Sequence, residues 1–286
     1  MNDSNLRRYA PALLALVGIV LFLPGLHAFG LWDPYEIHVA DAARALVTGG
    51  HFTWAPQLGR PPALVWLIAV GFKTLGVGEL GGRLPIAILG VVTLLAVYYA
   101  GAPLIGRRGA LLGAFALATC PGFFLGARQL TSNVPLLLAT SLAVGGLCRA
   151  AWPPEHTAPG RRALDLLIGL FGLALGQLSV GILVGVVAPL VAVTVGLWAA
   201  VGFEGLPAAG AVLSLLALTE ALWAFRHVTG YSAVLGGIPH AVQHTVTIST
   251  HLTKIGFSLF PWVALAPVAT IRAFRESDDA RERFGG

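Results

Sequence analysis

The densest group of ionisable residues ahead of the C-terminal tail lies in the stretch 30–62, GLWDPYEIHVADAARALVTGGHFTWAPQLGRPP. Its ionisable side chains with candidate roles are Asp33, Glu36, His38, Asp41, Arg44 and Arg60. Carboxylates beside cations suit a reaction in which a general base deprotonates an attacking group and cations stabilise an anionic leaving group. Asp33 is a candidate for that catalytic base, and Glu36 is the other.

Four of these residues also have a purely structural explanation. Asp33 precedes a proline, and Asp-Pro is a common start signal for a helix. A glutamate in a first helical turn, such as Glu36, interacts favourably with the helix dipole whether or not it reacts. His38 lies one turn before Asp41, and a solvated helix face accounts for both. Chemistry and helix initiation therefore both remain open for this stretch.

The composition places this stretch in a membrane protein. Hydrophobic residues make up 56% of the chain and charged residues 11%, and the mean hydropathy is +0.80. Apolar runs of roughly 18–22 residues recur, each long enough to cross a bilayer as a helix. We therefore predict an all-α polytopic membrane protein with about eight transmembrane helices. The predicted spans are 11–29, 84–105, 110–127, 134–148, 163–177, 181–200, 207–225 and 255–271.

The apolar run 62–76 is excluded from that count because about 14 residues are too few to cross. It suits an interfacial helix, as does the short amphipathic pattern over 41–46. If the run does not cross, 11 of the 18 Lys and Arg residues lie on the inner side, as the positive-inside rule requires. The N-terminus is then cytoplasmic, and the stretch 30–62 faces the periplasm or the exterior.

Two further loops are predicted on the same outer face. One carries Arg128 and Asn133, and the other carries His251 and Lys254. Arginine forks match phosphate oxygens, so Arg60 and Arg128 are candidates for binding a phosphate, although headgroup contact explains interfacial arginines equally well. The metal requirement is undetermined; a divalent cation is one option, with Glu36 and His251 as its candidate ligands.

Five segments, taken in order, resemble landmarks of the GT-C membrane glycosyltransferases. They are WDPYEIHVADAARALVTGG, GRPPALVWL, GELGGRLP, ARQLTSNVPLL and HLTKIGFSLFPW. The nearest branch is the protein-mannosyltransferase and aminoarabinose-transferase group, which is glycosyltransferase family 39-like. The resemblance covers residues 10–275 and implies sugar transfer from a polyprenyl phosphate to a lipid, glycan or protein acceptor. It also implies a multi-pass protein of the bacterial inner membrane.

The resemblance assigns roles to particular positions. Glu36 matches the glutamate of the family's Asp-Glu pair, while Asp41 and Arg44 match the acidic and arginine positions of the following helix. Arg60 stands where the family usually has a lysine before Pro-Pro, and Arg128 matches an arginine ahead of the second acidic loop. His38, Asn133 and His251 complete the set as supporting residues.

Two positions depart from the family pattern. Tyr35 replaces the aspartate of the pair, with Asp33 two residues earlier as the substitute, and Asn133 replaces the aspartate of the second loop. Because an asparagine cannot act as a base, a second hypothesis is a non-catalytic polyprenyl-lipid-binding or assembly protein. A transporter is disfavoured because no inverted repeat is visible. No basic block interleaved with aromatic residues indicates nucleic-acid binding.

The domain organisation predicted from the sequence is a transmembrane domain over 1–275 and a charged cytoplasmic tail over 276–286. Family members have more spans and a C-terminal domain. We therefore expect this chain to be an N-terminal portion of a longer protein.

Overall fold

The computed structural model describes residues 3–32, 35–49, 62–151, 158–201 and 256–262. Within those ranges the regular structure is entirely helical. A π-helical turn, Leu183–Val187, lies immediately before the helix Ala188–Val201. The α-helices are α1 (Asp3–Phe22), α2 (Tyr35–Thr48), α3 (Ala63–Leu75), α4 (Glu79–Thr119), α5 (Pro121–Gly126), α6 (Asn133–Ala151), α7 (Pro159–Val180) and α8 (Ala188–Val201).

Three of the described helical segments are long and apolar enough to cross a membrane. They are α6, α7 and the part of α4 from Glu79 to Pro103. For the residues that the structure describes, the prediction of a helical, multi-pass membrane protein is therefore confirmed. Of the remaining predicted spans, 207–225 lies outside the described residues, as does 255–271 apart from residues 256–262. The tail 276–286 also lies outside them. The count of about eight spans stays a prediction.

The long helix α4 is two antiparallel arms joined at Gly106. This glycine has a φ of 75°, a left-handed conformation that residues with a Cβ rarely adopt. A Cβ added at Gly90 in the first arm would lie 3.0 Å from the Cβ of Ala127. A Cβ added at Gly101 would lie 3.4 Å from the Cβ of Ala110. The chain therefore folds back at the point between the predicted spans 84–105 and 110–127.

The amphipathic helix expected over 41–46 is part of the longer α2. Its buried face includes Val39, Ala43 and Leu46, spaced at the helical period, and it packs against α3. The helix α3 has 13 residues, fewer than the about 20 that a span needs. The interfacial placement of these two helices stays a prediction.

The largest buried cluster unites the elements that carry the candidate chemistry. It joins the C-terminal end of α1, both α2 and α3, the first arm of α4, and residues 118–134. A second cluster at the opposite end of the bundle contains Leu14, Tyr98 and Ala114. We use the name loop end for the part of the protein around the first cluster. It comprises the α1–α2 connection, α2, α3, the start of α4 and residues 118–134.

The helices α6 and α7 pack closely against each other. A Cβ added at Gly172 would lie 2.7 Å from the carbonyl oxygen of Ala139 and 2.9 Å from the Cα of Ala143. These atoms belong to the backbone of α6 and cannot move aside cheaply. Small residues that let helix backbones approach are the usual means of packing helices in a bilayer.

We predict that Gly172→Val lowers the thermal unfolding temperature of the detergent-solubilised protein, because the added side chain forces α6 and α7 apart. The matched control is Gly113→Ala, at a helical position where an added Cβ meets nothing within 4 Å. This control should unfold at the wild-type temperature or slightly above, since alanine favours helix over glycine. Equal unfolding temperatures for Gly172→Val and the wild type would contradict the packing described.

Candidate active site

A buried ion pair between Glu36 and Arg83 lies at the centre of the loop end. The Arg83 Nη2 to Glu36 Oε2 distance is 2.6 Å, and the two side chains are 4% and 3% exposed. The Arg83 Nε donates a longer hydrogen bond of 3.4 Å to Glu36 Oε1. This forked contact joins the first turn of α2 to the start of α4.

The guanidinium of Arg83 uses every donor it has. Its Nη1 donates to the carbonyl oxygens of Leu26 and Phe29 at 3.1 and 2.6 Å. Its Nη2 donates to the carbonyl oxygen of Gly30 at 2.8 Å as well as to Glu36. A guanidinium has five N–H groups, so Arg83 has none left for a ligand.

The carboxylate of Glu36 is equally occupied. Besides Arg83, its Oε2 accepts the backbone N–H of Trp32 at 2.9 Å, and its Oε1 accepts that of Leu130 at 2.8 Å. Burial by itself would raise the pKa of this carboxyl, but the hydrogen bonds from Arg83, Trp32 and Leu130 outweigh burial and hold the pKa below its ordinary value. Glu36 is thus a fully bound carboxylate and a weak base.

Glycines next to Arg83 explain how the chain closes around this pair. The GELGGRLP segment puts Gly81 and Gly82 immediately before Arg83, at the start of α4. A Cβ added at Gly82 would lie 3.3 Å from the Cδ2 of Leu130 and 3.4 Å from the Cε1 of Phe72. Without side chains here, both α3 and the α5–α6 connection come close enough to enclose the ion pair.

Arg128 lies two residues before Leu130 and binds the end of α1. Its Nη1 donates to the carbonyl oxygens of Leu21 and Phe22 at 3.0 and 3.4 Å, where the helix leaves carbonyls unsatisfied. Its guanidinium carbon lies 5.4 Å from the ring centroid of Phe124. Within the described residues, its Nη2 and Nε donate no hydrogen bond and remain available to a phosphate.

The other predicted site residues fall into two groups. His38, Asp41 and Arg44 lie on the exposed face of α2, and Asn133 is exposed as the first residue of α6. The remaining three, Asp33, Arg60 and His251, lie outside the described residues. The catalytic, phosphate-binding and supporting roles of these residues stay predictions.

The segment 256–262 follows His251 closely in the sequence and reaches the loop end. The Trp262 Nε1 donates to the Thr119 Oγ1 at 2.9 Å. Ser258 lies against Gly122, where an added Cβ would be 2.7 Å from the Cβ of Ser258. The segment that follows the third predicted loop in the sequence therefore packs at the α4–α5 junction.

The described residues contain no group of three His, Cys, Asp or Glu side chains that could hold a metal ion. A carboxylate offers about four lone-pair sites, and those of Glu36 already accept four hydrogen bonds. A cation at Glu36 would have to displace Arg83 or a backbone N–H. His251, the other candidate ligand, lies beyond the described part of the chain.

Arg83 is a site residue that the sequence did not reveal. It lies within GELGGRLP, a segment that we used only for the family resemblance. The available signal was its position in the first turns of a long apolar segment, Glu79–Pro103. An ionisable residue at the edge of a span is costly unless it has a partner, so the segment called for a carboxylate elsewhere in the chain.

Comparison with known proteins identifies the family. Residues 59–223, more than half of the chain, match the family described as dolichyl-phosphate-mannose-protein mannosyltransferase. The chain belongs to this family. The match confirms the protein-mannosyltransferase part of the resemblance, and the relatives and solved structures described next support the aminoarabinose-transferase part.

Relatives of this mannosyltransferase-family chain include undecaprenyl phosphate-alpha-4-amino-4-deoxy-L-arabinose arabinosyl transferases. The Pseudomonas aeruginosa (strain LESB58) protein is 26% identical over 96% of this chain and 52% of its own length. The second such enzyme of Pseudomonas fluorescens is 25% identical over 99% of this chain and 51% of its own length. The chain thus spans about half the length of these relatives.

Solved structures of ArnT from Cupriavidus metallidurans share the fold. The apo structure has a TM-score of 0.69 at 20% identity and covers 90% of this chain and 49% of that protein. The structure bound to undecaprenyl phosphate has a TM-score of 0.67 at 20% identity and covers 92% and 51%. The likeness establishes the GT-C-type fold of this chain.

We predict that Arg83→Met destabilises the protein by about 3–5 kcal/mol, because it leaves the buried Glu36 charge without its partner. Unfolding in mixed detergent micelles, followed by circular dichroism, measures this change. Arg161→Met serves as the control, since this arginine is 60% exposed in its weaker contact with Asp165. Equal losses for the two variants would contradict the account of a closed ion pair.

The pair also predicts a pH dependence. Because the folded-state pKa of Glu36 lies below its ordinary value of 4.5, its stabilising contribution is complete above that value. It is lost as the pH falls through the folded-state pKa. We therefore expect the wild type to unfold at a higher temperature than Glu36→Gln at pH 7. This gap should shrink as the pH falls below 4.5.

The control for the pH series is Glu79→Gln, which makes the same chemical change in the first turn of α4 outside the pair. A gap between the wild type and Glu36→Gln that stays constant down to acid pH would show that Glu36 does not titrate with the pair.

Proposed function

We propose that this protein is a membrane glycosyltransferase that moves a sugar from a polyprenyl-phosphate donor to a lipid, glycan or protein acceptor. The family match and the names of the arabinosyl transferase relatives support the reaction class. The polyprenyl carrier is supported by the ArnT structure with bound undecaprenyl phosphate. The reaction takes place on the periplasmic face of the bacterial inner membrane, with the N-terminus cytoplasmic.

One observation carries this proposal beyond the family match. Arg83 binds the α1–α2 connection at Gly30, and Glu36 binds the α5–α6 connection at Leu130. The residues on either side of Asp33 are therefore held close to the connection that contains Arg128. A base and a phosphate-binding cation must be held together in this way for a displacement at a sugar phosphate.

Asp33 is the catalytic base in this proposal. Both oxygens of Glu36 are occupied by Arg83 and by backbone N–H groups, and its depressed pKa makes it a weak acceptor of protons. The acceptor hydroxyl gives its proton to Asp33 while the hydroxyl oxygen attacks the anomeric carbon of the sugar. The polyprenyl phosphate leaves with the electrons of the broken glycosyl bond, and this single displacement inverts the anomeric configuration.

Arg60 and Arg128 stabilise the departing phosphate. Arg128 is suited to this task because its Nη1 is fixed on the carbonyls that end α1, which directs the rest of the guanidinium. His38, Asp41, Arg44, Asn133 and His251 support the site, and a divalent cation is an optional component.

The direct test uses the complete protein in proteoliposomes with a panel of undecaprenyl-phosphate-linked sugars, including the aminoarabinose donor. Bacterial envelope extract serves as the acceptor source, and release of free undecaprenyl phosphate is the readout. We expect Asp33→Asn to lower the turnover rate at least about 100-fold, the lower end of general-base contributions. Glu79→Gln should retain wild-type turnover. An Asp33→Asn variant with full activity would remove Asp33 from the chemistry.

The substitutions at Tyr35 and Asn133 favour the second candidate, a polyprenyl-lipid-binding or assembly protein without catalysis. The same experiment separates the two. Wild-type protein that binds undecaprenyl phosphate but releases none from any donor in the panel would support the second candidate and contradict the first.

We further predict that Arg128→Gln raises the KM for the donor about 10- to 100-fold, the equivalent of one hydrogen bond to a charged group. The turnover number should change less, because the base is intact. Arg161→Gln is the control for loss of one arginine, since this side chain is mostly exposed beside Asp165. An unchanged donor KM in Arg128→Gln would exclude Arg128 from phosphate binding.

A further inference from the structure

We propose that Arg83 is a positioning residue for the transfer reaction. It holds the backbone on both sides of Asp33, and it thereby fixes Asp33 relative to the α5–α6 connection that contains Arg128. This inference rests on the proposed function and deepens it. Arg83 itself is buried and has no donor left for substrate. Its effect on the reaction therefore passes through the segments that it binds.

The segment before Asp33 is held by three of its carbonyl oxygens. Arg83 binds Leu26, Phe29 and Gly30 at 3.1, 2.6 and 2.8 Å. These residues lie between α1 and α2, where no helical ladder satisfies their carbonyls. A single side chain thus replaces the hydrogen bonds that regular structure would have provided.

The residues that bracket Asp33 are joined directly to each other. Trp32, its immediate predecessor, donates its backbone N–H to Glu36 Oε2 at 2.9 Å. The backbone N–H of Glu36 donates to the carbonyl oxygen of Trp32 at 2.9 Å. Because Arg83 fixes Glu36 in turn, the two ends of the short segment that contains Asp33 have one common anchor.

The same anchor reaches the α5–α6 connection. Leu130 donates its backbone N–H to Glu36 Oε1 at 2.8 Å. Arg128 lies two residues earlier and Asn133 three residues later. A shift of Glu36 therefore moves the base and the phosphate-binding arginine relative to each other, and displacements of about 1 Å can cost 100-fold in rate.

Only arginine can serve in this position. Its planar fork presents five donors in fixed directions, whereas a lysine ammonium offers three from one point. Arg83→Lys retains the charge that neutralises Glu36 but cannot reach the carbonyl oxygens of Leu26, Phe29, Gly30 and the carboxylate together. This variant separates positioning from charge balance.

The test uses the complete protein in lipid nanodiscs, with undecaprenyl phosphate as the binding probe and the donor panel for single-turnover release. We expect Arg83→Lys to lower the single-turnover rate about 100-fold while the Kd for undecaprenyl phosphate stays within about threefold of the wild type. The matched control is Arg149→Lys, a partly buried arginine that also binds a carbonyl and a carboxylate, those of Tyr99 and Asp165. This control should keep both values.

Amide hydrogen exchange supplies a readout that does not need turnover. In Arg83→Lys we expect faster exchange in the peptides that contain Trp32 and Leu130, with α6 and α7 unchanged. Wild-type rates in Arg83→Lys, or equal losses of rate and of undecaprenyl phosphate binding, would overturn the positioning role. If the wild type releases no undecaprenyl phosphate at all, the proposed function fails, while the exchange data still decide whether Arg83 holds these segments.

Discussion

The buried ion pair of Glu36 and Arg83 is the constraint on which the loop end depends. Taking two charges out of water costs several kcal/mol per ion, and only excellent geometry with further hydrogen bonds repays it. The chain meets this condition by bringing the carbonyls of the α1–α2 connection and the N–H of Leu130 to the pair. Three separate segments must therefore meet wherever the pair is buried.

The helical frame makes that meeting possible. Gly106 lets α4 fold back, so that residues 118–134 return to the end where α4 began. Close contacts at Gly172 hold α6 on α7. Glycines thus produce the close helix packing, whereas charged side chains organise the loop end. We expect the family's chemistry at the loop end, where the chain presents ionisable groups.

Patterns that are local in the sequence were predictable, and long-range pairings were not. Apolar run length identified α6 and α7 as spans, and the charged stretch drew attention to Glu36. The amphipathic pattern over 41–46 covers only part of α2, and the buried face of this helix also carries a polar residue, Glu36. Its partner Arg83 lies 47 residues away, and the Arg128 contact with the end of α1 spans 107 residues. No periodicity encodes such distances, which only the packed helices create.

A double-mutant cycle on the free energy of unfolding tests the central claim most directly. Glu36→Gln, Arg83→Met and the double variant would be unfolded in mixed micelles at pH 7. We predict strong coupling between the two residues. The double variant should be at least about 2 kcal/mol more stable than the sum of the two single losses implies, because it no longer buries an unpaired charge. Additivity within about 0.5 kcal/mol would show that the two residues do not act as a pair.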